Sequence, residues 1–185
     1  MPANKRNDPF SMNKTKRIPP LGERISFLIH RVEAKTEIVC NPLYRHLDVA
    51  LQDTRVLVNL LEAGQLRVGD LVNIMAMPQS TISHQLRALE KRKLVRRTQA
   101  LADSRSVIVE LTALGKSVAQ QCNSVSEEVY RIMVEGLSAR ELTQLRTQLR
   151  EIYQRLEQFG MRKAAERRVT KPKGARGLGL ADGKG

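Results

Sequence analysis

The chain has 185 residues, 41% hydrophobic and 28% charged, with a formal net charge of +13; this suits one globular domain with tails rather than two ordinary domains. No run approaches the roughly 18 apolar residues of a membrane span, and the charged first twenty residues lack the apolar segment of a secretion signal, so the expected location is cytoplasmic. Three Phe, three Tyr and no Trp argue against a surface that stacks many bases on aromatic rings. Two cysteines, Cys40 and Cys122, are too few for a disulfide framework or a four-cysteine zinc site.

The charge is unevenly spread. Residues 1–20 carry +4 and residues 160–185 carry +6, while 21–159 carry only +3, within which 79–105 alone holds +5. One internal segment and the two ends hold the excess, a distribution suited to a polyanion whose counterions each bound Lys or Arg releases.

In chain order, residues 1–20 hold four prolines among Asn, Lys and Ser and read as a disordered basic arm. Ile25, Leu28, Ile29, Val32, Thr36 and Val39 share one face of a first helix over about 21–40, which Asn41-Pro42 is expected to close. Residues 55–62 form a second helix, opened by Gln52 or Asp53 and closed by Gly64. A short helix over 68–75 follows, and Pro78 then opens a helix over 79–92. Two β-rich runs, 94–98 and 106–111, flank a loop over 99–105. Leu114, Val118, Cys122, Val125, Val129 and Ile132 recur at near-heptad spacing in the next helix. Ser138 and Glu141 then make a capping box, and Leu142, Leu145, Leu149, Ile152, Leu156 and Phe159 step 3, 4, 3, 4, 3. Such a seam wants a partner helix, and with the similar seam on the first helix it predicts a homodimer. Residues 161–185, ending in a glycine-rich basic stretch, read as a disordered tail.

The fold predicted is mainly α: a winged helix-turn-helix over about 51–111, with a small β-hairpin wing, inside a domain spanning 21–160. Its terminal helices, about 21–40 and 112–160, form a dimerisation domain. On the helix over 79–92, Ile82, Leu86 and Leu89 form the buried stripe. Ser80, His84, Arg87 and Lys91 cluster opposite, with Thr81 and Ser83 on the flanks and Gln79 at the start. Such a face enters a major groove without steric cost, with its N-terminal amides toward a phosphate and Arg87 able to reach a guanine edge. Arg96 and Arg97 lie on the hairpin, and Arg105 at its loop suits a narrow minor groove. Asp103 beside it is expected to brace the loop.

These segments resemble the MarR family of transcriptional regulators. The resemblance rests on Asp70-Leu71-Val72-Asn73-Ile74, on the block from Pro78 through Ser83-His84 and Leu94-Val95 to Arg97, on Asp103-Ser104-Arg105, and on Leu111-Thr112-Ala113-Leu114-Gly115. It covers about 21–159, and Lys93 stands where the family pattern often has Gly. The resemblance implies an obligate dimer, two recognition helices in successive major grooves of a pseudo-palindrome, and a small-molecule or redox signal that usually releases the DNA. It also implies an effector pocket between the dimer helices and the winged part, where Arg24, His30 and Arg55 are the leading candidates to bind an aromatic acid, its thioester or another organic anion.

The function expected is therefore a sequence-specific, ligand-released homodimeric repressor that binds double-stranded DNA. The competing reading is an architectural, non-specific nucleic-acid binder driven by the basic ends. Cys40, at a helix end, is the candidate for redox sensing. No cofactor or metal is expected, since His30, Cys40, His46 and Asp48 lack the spacing of strong ligands. No enzyme is expected either: Ser83 and His84, adjacent on a helix, cannot face each other.

Overall fold

The computed structural model describes residues 17–100 and 103–170. It comprises α1 (Ile25–Tyr44), α2 (Leu51–Ala63), β1 (Gln65–Arg67), α3 (Val68–Met75), α4 (Gln79–Lys91), β2 (Val95–Ala100), β3 (Asp103–Leu111), α5 (Ala113–Met133) and α6 (Ala139–Thr170). Two short 3-10 turns, Leu21–Glu23 and Arg45–Leu47, precede α1 and α2. The chain divides into two compact units, with the boundary between Arg131 and Ile132.

The first unit is a winged helix-turn-helix built on one apolar core. α2 contributes Leu51, Val56, Leu57 and Leu60, α3 Leu71, and α4 its stripe of Ile82, Leu86 and Leu89. Val95, Val109 and Leu111 close it from the sheet, Leu94 from the link just before β2, Val118, Ala119 and Cys122 from α5, and Cys40 and Tyr44 from α1. Full burial of each large aliphatic side chain stabilises by about 1.5–3 kcal/mol, so the α4 stripe alone holds that helix firmly against the core.

The antiparallel sheet runs β1-β3-β2. Sequence reading found the hairpin but not β1, a three-residue strand whose Leu66 pairs with Val109. Gly64, at φ 76, ends α2 and turns the chain onto the free edge of β3. The wing strands also run farther than expected. Gln99 pairs with Val107 and Ala100 with Asp103, with a register irregularity between them, so most of the expected loop is strand.

Three further boundaries move. The first helix does not stop at Asn41-Pro42 but includes Pro42 and ends at Tyr44. A proline removes one helical N–H, and here tertiary contacts outweigh that loss: Tyr44 is buried and its hydroxyl lies 3.0 Å from Ser126 Oγ. The second helix starts at Leu51 rather than 55, because Asn41 Oδ1 accepts the Leu51 N–H at 2.8 Å and Asp53 Oδ2 accepts that of Ala50 at 3.4 Å. In the second unit, α6 runs through residues 161–170 of the expected disordered tail. Those residues are rich in Ala, Arg, Lys and Glu, good helix formers, and Pro172 and the tail glycines come only later. The rest of that tail, 171–185, and residues 1–16 of the expected arm lie outside the described residues.

The expected capping box is present at the start of α6. Glu141 Oε2 accepts the Ser138 N–H at 2.8 Å, and the Glu141 N–H donates to Ser138 Oγ at 3.3 Å.

Candidate nucleic-acid interface

α3 and α4 are joined by Ala76 and Met77, with Ala76 in the left-handed region at φ 51. This tight turn carries the chain directly into Pro78, which caps α4. Burial of Ile82, Leu86 and Leu89 then dictates what faces solvent. Gln79, Ser80, Thr81, His84, Arg87 and Lys91 are all exposed, and Ser83 is half-buried. The first N–H groups of any helix lack intrahelical acceptors and attract anions, so this end pairs free donors with small hydroxyl side chains. Among the described residues, His84, Arg87 and Lys91 have no hydrogen-bond or ion-pair partner; their polar groups are available.

The two arginines of the wing are differently placed. Arg96 on β2 pairs with Glu110 directly across on β3, at 2.8 Å from Nε and 2.6 Å from Nη2. Arg97 is half-buried and reaches Glu90 of α4, which accepts both its guanidinium, at 2.8 Å, and its backbone N–H, at 3.3 Å. The Arg97 hydrogen bond holds the Glu90 carboxyl below its usual pKa, against desolvation. Arg97 thus ties wing to helix, and Arg96 remains largely exposed beside its carboxylate. Arg105 lies on β3, and its side chain is outside the described residues.

On the other flank of α4 sits a polar group that sequence reading missed. Gln85 Nε2 donates to Asp53 Oδ1 at 3.1 Å, and Arg92 Nη1 lies 3.3 Å from Asp53 Oδ2. Arg92 Nε also approaches Asp48 at 3.4 Å. Asp53 entered the sequence reading only as a helix start. A hollow of about 390 Å³, lined by Asn41, Arg45, Asp48, Val49, Ala50 and Asp53, opens beside this group. Exposed Lys93 stands at the end of α4 with φ 59. Lys93 stands where the resembled pattern often has Gly, and a left-handed φ is the backbone that glycine adopts without steric cost.

The effector candidates are separate in their contacts. Arg24 donates to the Pro19 carbonyl at 3.0 Å, and exposed His30 lies 6.2 Å from the Phe27 ring. Arg55 makes a two-pronged pair with Glu33, at 2.8 and 3.0 Å, which holds the Glu33 carboxyl below its usual range. Cys40 and Cys122 are both buried, and desolvation is the main cause that pushes each thiol up. The thiolate is the reactive form of a cysteine, so burial and the upward shift weigh against redox sensing by Cys40. Among the described residues no group of His, Cys, Asp and Glu is placed to hold a metal, and no helix is long and apolar enough to cross a membrane.

A buried helix-turn-helix, a polar outward α4 and a two-stranded wing define the class: a winged helix-turn-helix protein. Comparison with known proteins narrows it. The profile of the "bacterial regulatory protein, arsR family" matches residues 53–97, the helix-turn-helix part alone. A longer likeness runs to the multiple antibiotic resistance protein MarR of Escherichia coli (strain K12), 26% identical over 136 residues, which is 73% of this chain and 92% of that protein. Among solved structures, AbsC, a MarR family transcriptional regulator from Streptomyces coelicolor, superposes with a TM-score of 0.67 at 25% identity, over 77% of this chain and 99% of AbsC. The S. aureus MepR–DNA complex superposes at 0.66 with 23% identity, over 72% of this chain and 98% of MepR. Together these likenesses support a MarR-family winged helix-turn-helix transcriptional regulator.

Proposed function

We propose that this protein binds double-stranded DNA as a homodimeric transcriptional repressor, with α4 as the recognition helix in the major groove. The observation that carries the reading is the division of α4: Ile82, Leu86 and Leu89 are fully buried, while His84, Arg87 and Lys91 project outward without partners among the described residues. The DNA complex of MepR, a protein of the same fold, supports it. Gln79, Ser80, Thr81 and Ser83 would approach backbone and base edges, and Arg87 a guanine. Arg96 would reach a phosphate by releasing or sharing Glu110, and Arg105 would follow from the wing. Arg97, engaged with Glu90, is better suited to hold the wing than to touch DNA.

The dimer reading is supported by apolar side chains left in solvent. On α1, Ile25, Leu28, Ile29 and Val32 are exposed, and on α6 so are Leu145, Leu149, Leu156 and Phe159. A second copy of the chain covers these faces and sets two α4 helices about one helical turn of DNA apart on a pseudo-palindrome. A small organic acid, aromatic or its thioester, is the proposed releasing ligand, with Arg24 and His30 as exposed partners and Arg55 exchanging Glu33 for the ligand carboxylate. Repression of transcription places this work in the cytoplasm.

The test is binding-site selection from random duplexes followed by Arg87→Ala. The expected result is an enriched two-half-site motif, with affinity for it falling about tenfold or more in the variant, since a bidentate guanine contact discriminates by about 1–3 kcal/mol. Absence of any enriched motif, together with loss of binding on removal of residues 1–20 and 161–185, would establish the architectural reading instead.

A further inference from the structure

The recognition helix is held by two kinds of contact with different physical consequences. Its apolar stripe supplies most of the binding energy to the core, but apolar burial is non-directional. It resists removal of the helix far more than a small roll or slide about its axis. Hydrogen bonds and ion pairs are directional and short-ranged, so polar contacts along the edges of α4 decide its orientation. On one edge, Glu90 engages Arg97 of β2. On the other, Gln85 and Arg92 reach Asp53 of α2.

Gln85 and Arg92 are seven residues apart, hence about two turns and roughly 10 Å along the helix. Both converge on one carboxylate. Asp53 is itself rigidly placed, because Oδ2 accepts the Ala50 N–H at the start of α2, and its side chain is only 20% exposed. Arg92 is tied a second time, to Asp48. None of these groups belongs to the outward face of His84, Arg87 and Lys91. Gln85 and Arg87, two positions apart, point roughly 200° from each other around the helix.

We infer that Asp53 is a positioning residue for DNA recognition: through Gln85 and Arg92 it sets the roll of α4, and so the aim of Arg87, without touching DNA. This rests on the proposed function and deepens it. It also predicts an unusual sign. Removing a carboxylate from a DNA-binding surface should, by charge alone, tighten binding to every duplex. If Asp53 sets the aim of α4, its removal weakens binding to the selected operator while leaving or improving binding to unrelated duplex.

The experiment compares the full-length wild-type protein with Asp53→Ala, Asp53→Asn, Arg92→Ala and the Asp53→Ala/Arg92→Ala pair. Each is titrated with the selected operator and with a scrambled duplex, and amide hydrogen exchange over 79–91 is followed without DNA. Asp53→Ala and Arg92→Ala should each lose about tenfold on the operator. Asp53→Ala should not weaken on the scrambled duplex, and the pair should be no worse than the poorer single variant. Exchange across α4 should quicken while that of α5 stays unchanged. Asp53→Asn keeps an acceptor for Gln85 and the shape of the α2 start; it should fold and lose less. Equal losses on both duplexes, additive losses in the pair, or unaltered exchange in α4 would overturn the inference. A wild-type protein without sequence preference would sink the proposed function instead, and the exchange measurement would still decide the role of Asp53.

Discussion

Gly115 shows how one residue can be dictated by backbone packing. A Cβ built there would meet the Leu94 carbonyl oxygen at 1.8 Å, while Thr112 Oγ1 accepts the Gly115 N–H at 2.9 Å and donates to the Lys93 carbonyl at 2.6 Å. The Leu-Thr-x-x-Gly pattern is therefore a clamp between the start of α5 and the start of β2. Gly115→Ala should destabilise by about 3 kcal/mol, as backbone must move to admit the methyl, which urea denaturation will measure. At Lys93 the argument reverses. With φ at 59, an ordinary residue pays a left-handed penalty of about 1–2 kcal/mol that glycine avoids, offset in part by glycine's greater freedom when unfolded. Lys93→Gly should thus stabilise by about 0.5–1 kcal/mol, seen as a higher Tm. Both positions were visible in the residue string, one as a motif and one as a departure. Their reasons were not, because each depends on a carbonyl or a dihedral that only folding specifies.

Among the elements, α4 was the most legible. Its 3.6-residue period separates Ile82, Leu86 and Leu89 from Ser80, His84, Arg87 and Lys91, and the burial pattern follows that division. β1 was the least legible: Gln65, Leu66 and Arg67 carry no strand pattern, and they pair only because β3 offers an open edge. The link between α4 and β2 yields a pH prediction. Glu90 has its pKa lowered by Arg97 from an ordinary value of 4.5. A group depressed on folding adds stability above its unfolded pKa and loses it as pH falls through the folded one. Wild-type and Glu90→Gln proteins should therefore differ in stability at pH 7 and converge progressively below about pH 4.5. A constant difference between the two denaturation curves down to pH 2 would refute the assignment.

For the whole molecule, the decisive feature is how much apolar surface the chain leaves in water. Ile29 and Leu149 are 41% and 44% exposed, so an aspartate at either position costs the isolated chain little. In a dimer that buries them, the same change places an unpaired charge in an apolar interface. Ile29→Asp and Leu149→Asp should each sediment as a folded monomer at concentrations where the wild type sediments as a dimer. Their operator affinity should fall sharply, because only one α4 then engages each molecule of DNA. Unchanged sedimentation of both variants would remove the dimer from the proposal.

The residue order by itself determined the helices, the turn between α3 and α4, the hairpin and the basic segment. These are local properties: a period, a proline, a β-branched run and a count of charges operate within a few neighbours. Tertiary structure decided which of the basic groups are free. Arg97 is drawn to Glu90, Arg55 to Glu33 and Arg92 to Asp53, and the last pair joins residues 39 apart in the chain. It likewise carried α1 past Pro42, through the burial of Tyr44 against α5. Arg97 and Glu90 are only seven residues apart but lie on different elements, and the other contacts join segments 22 or more residues apart, so each forms only when separate elements pack and no helix or strand period signals it.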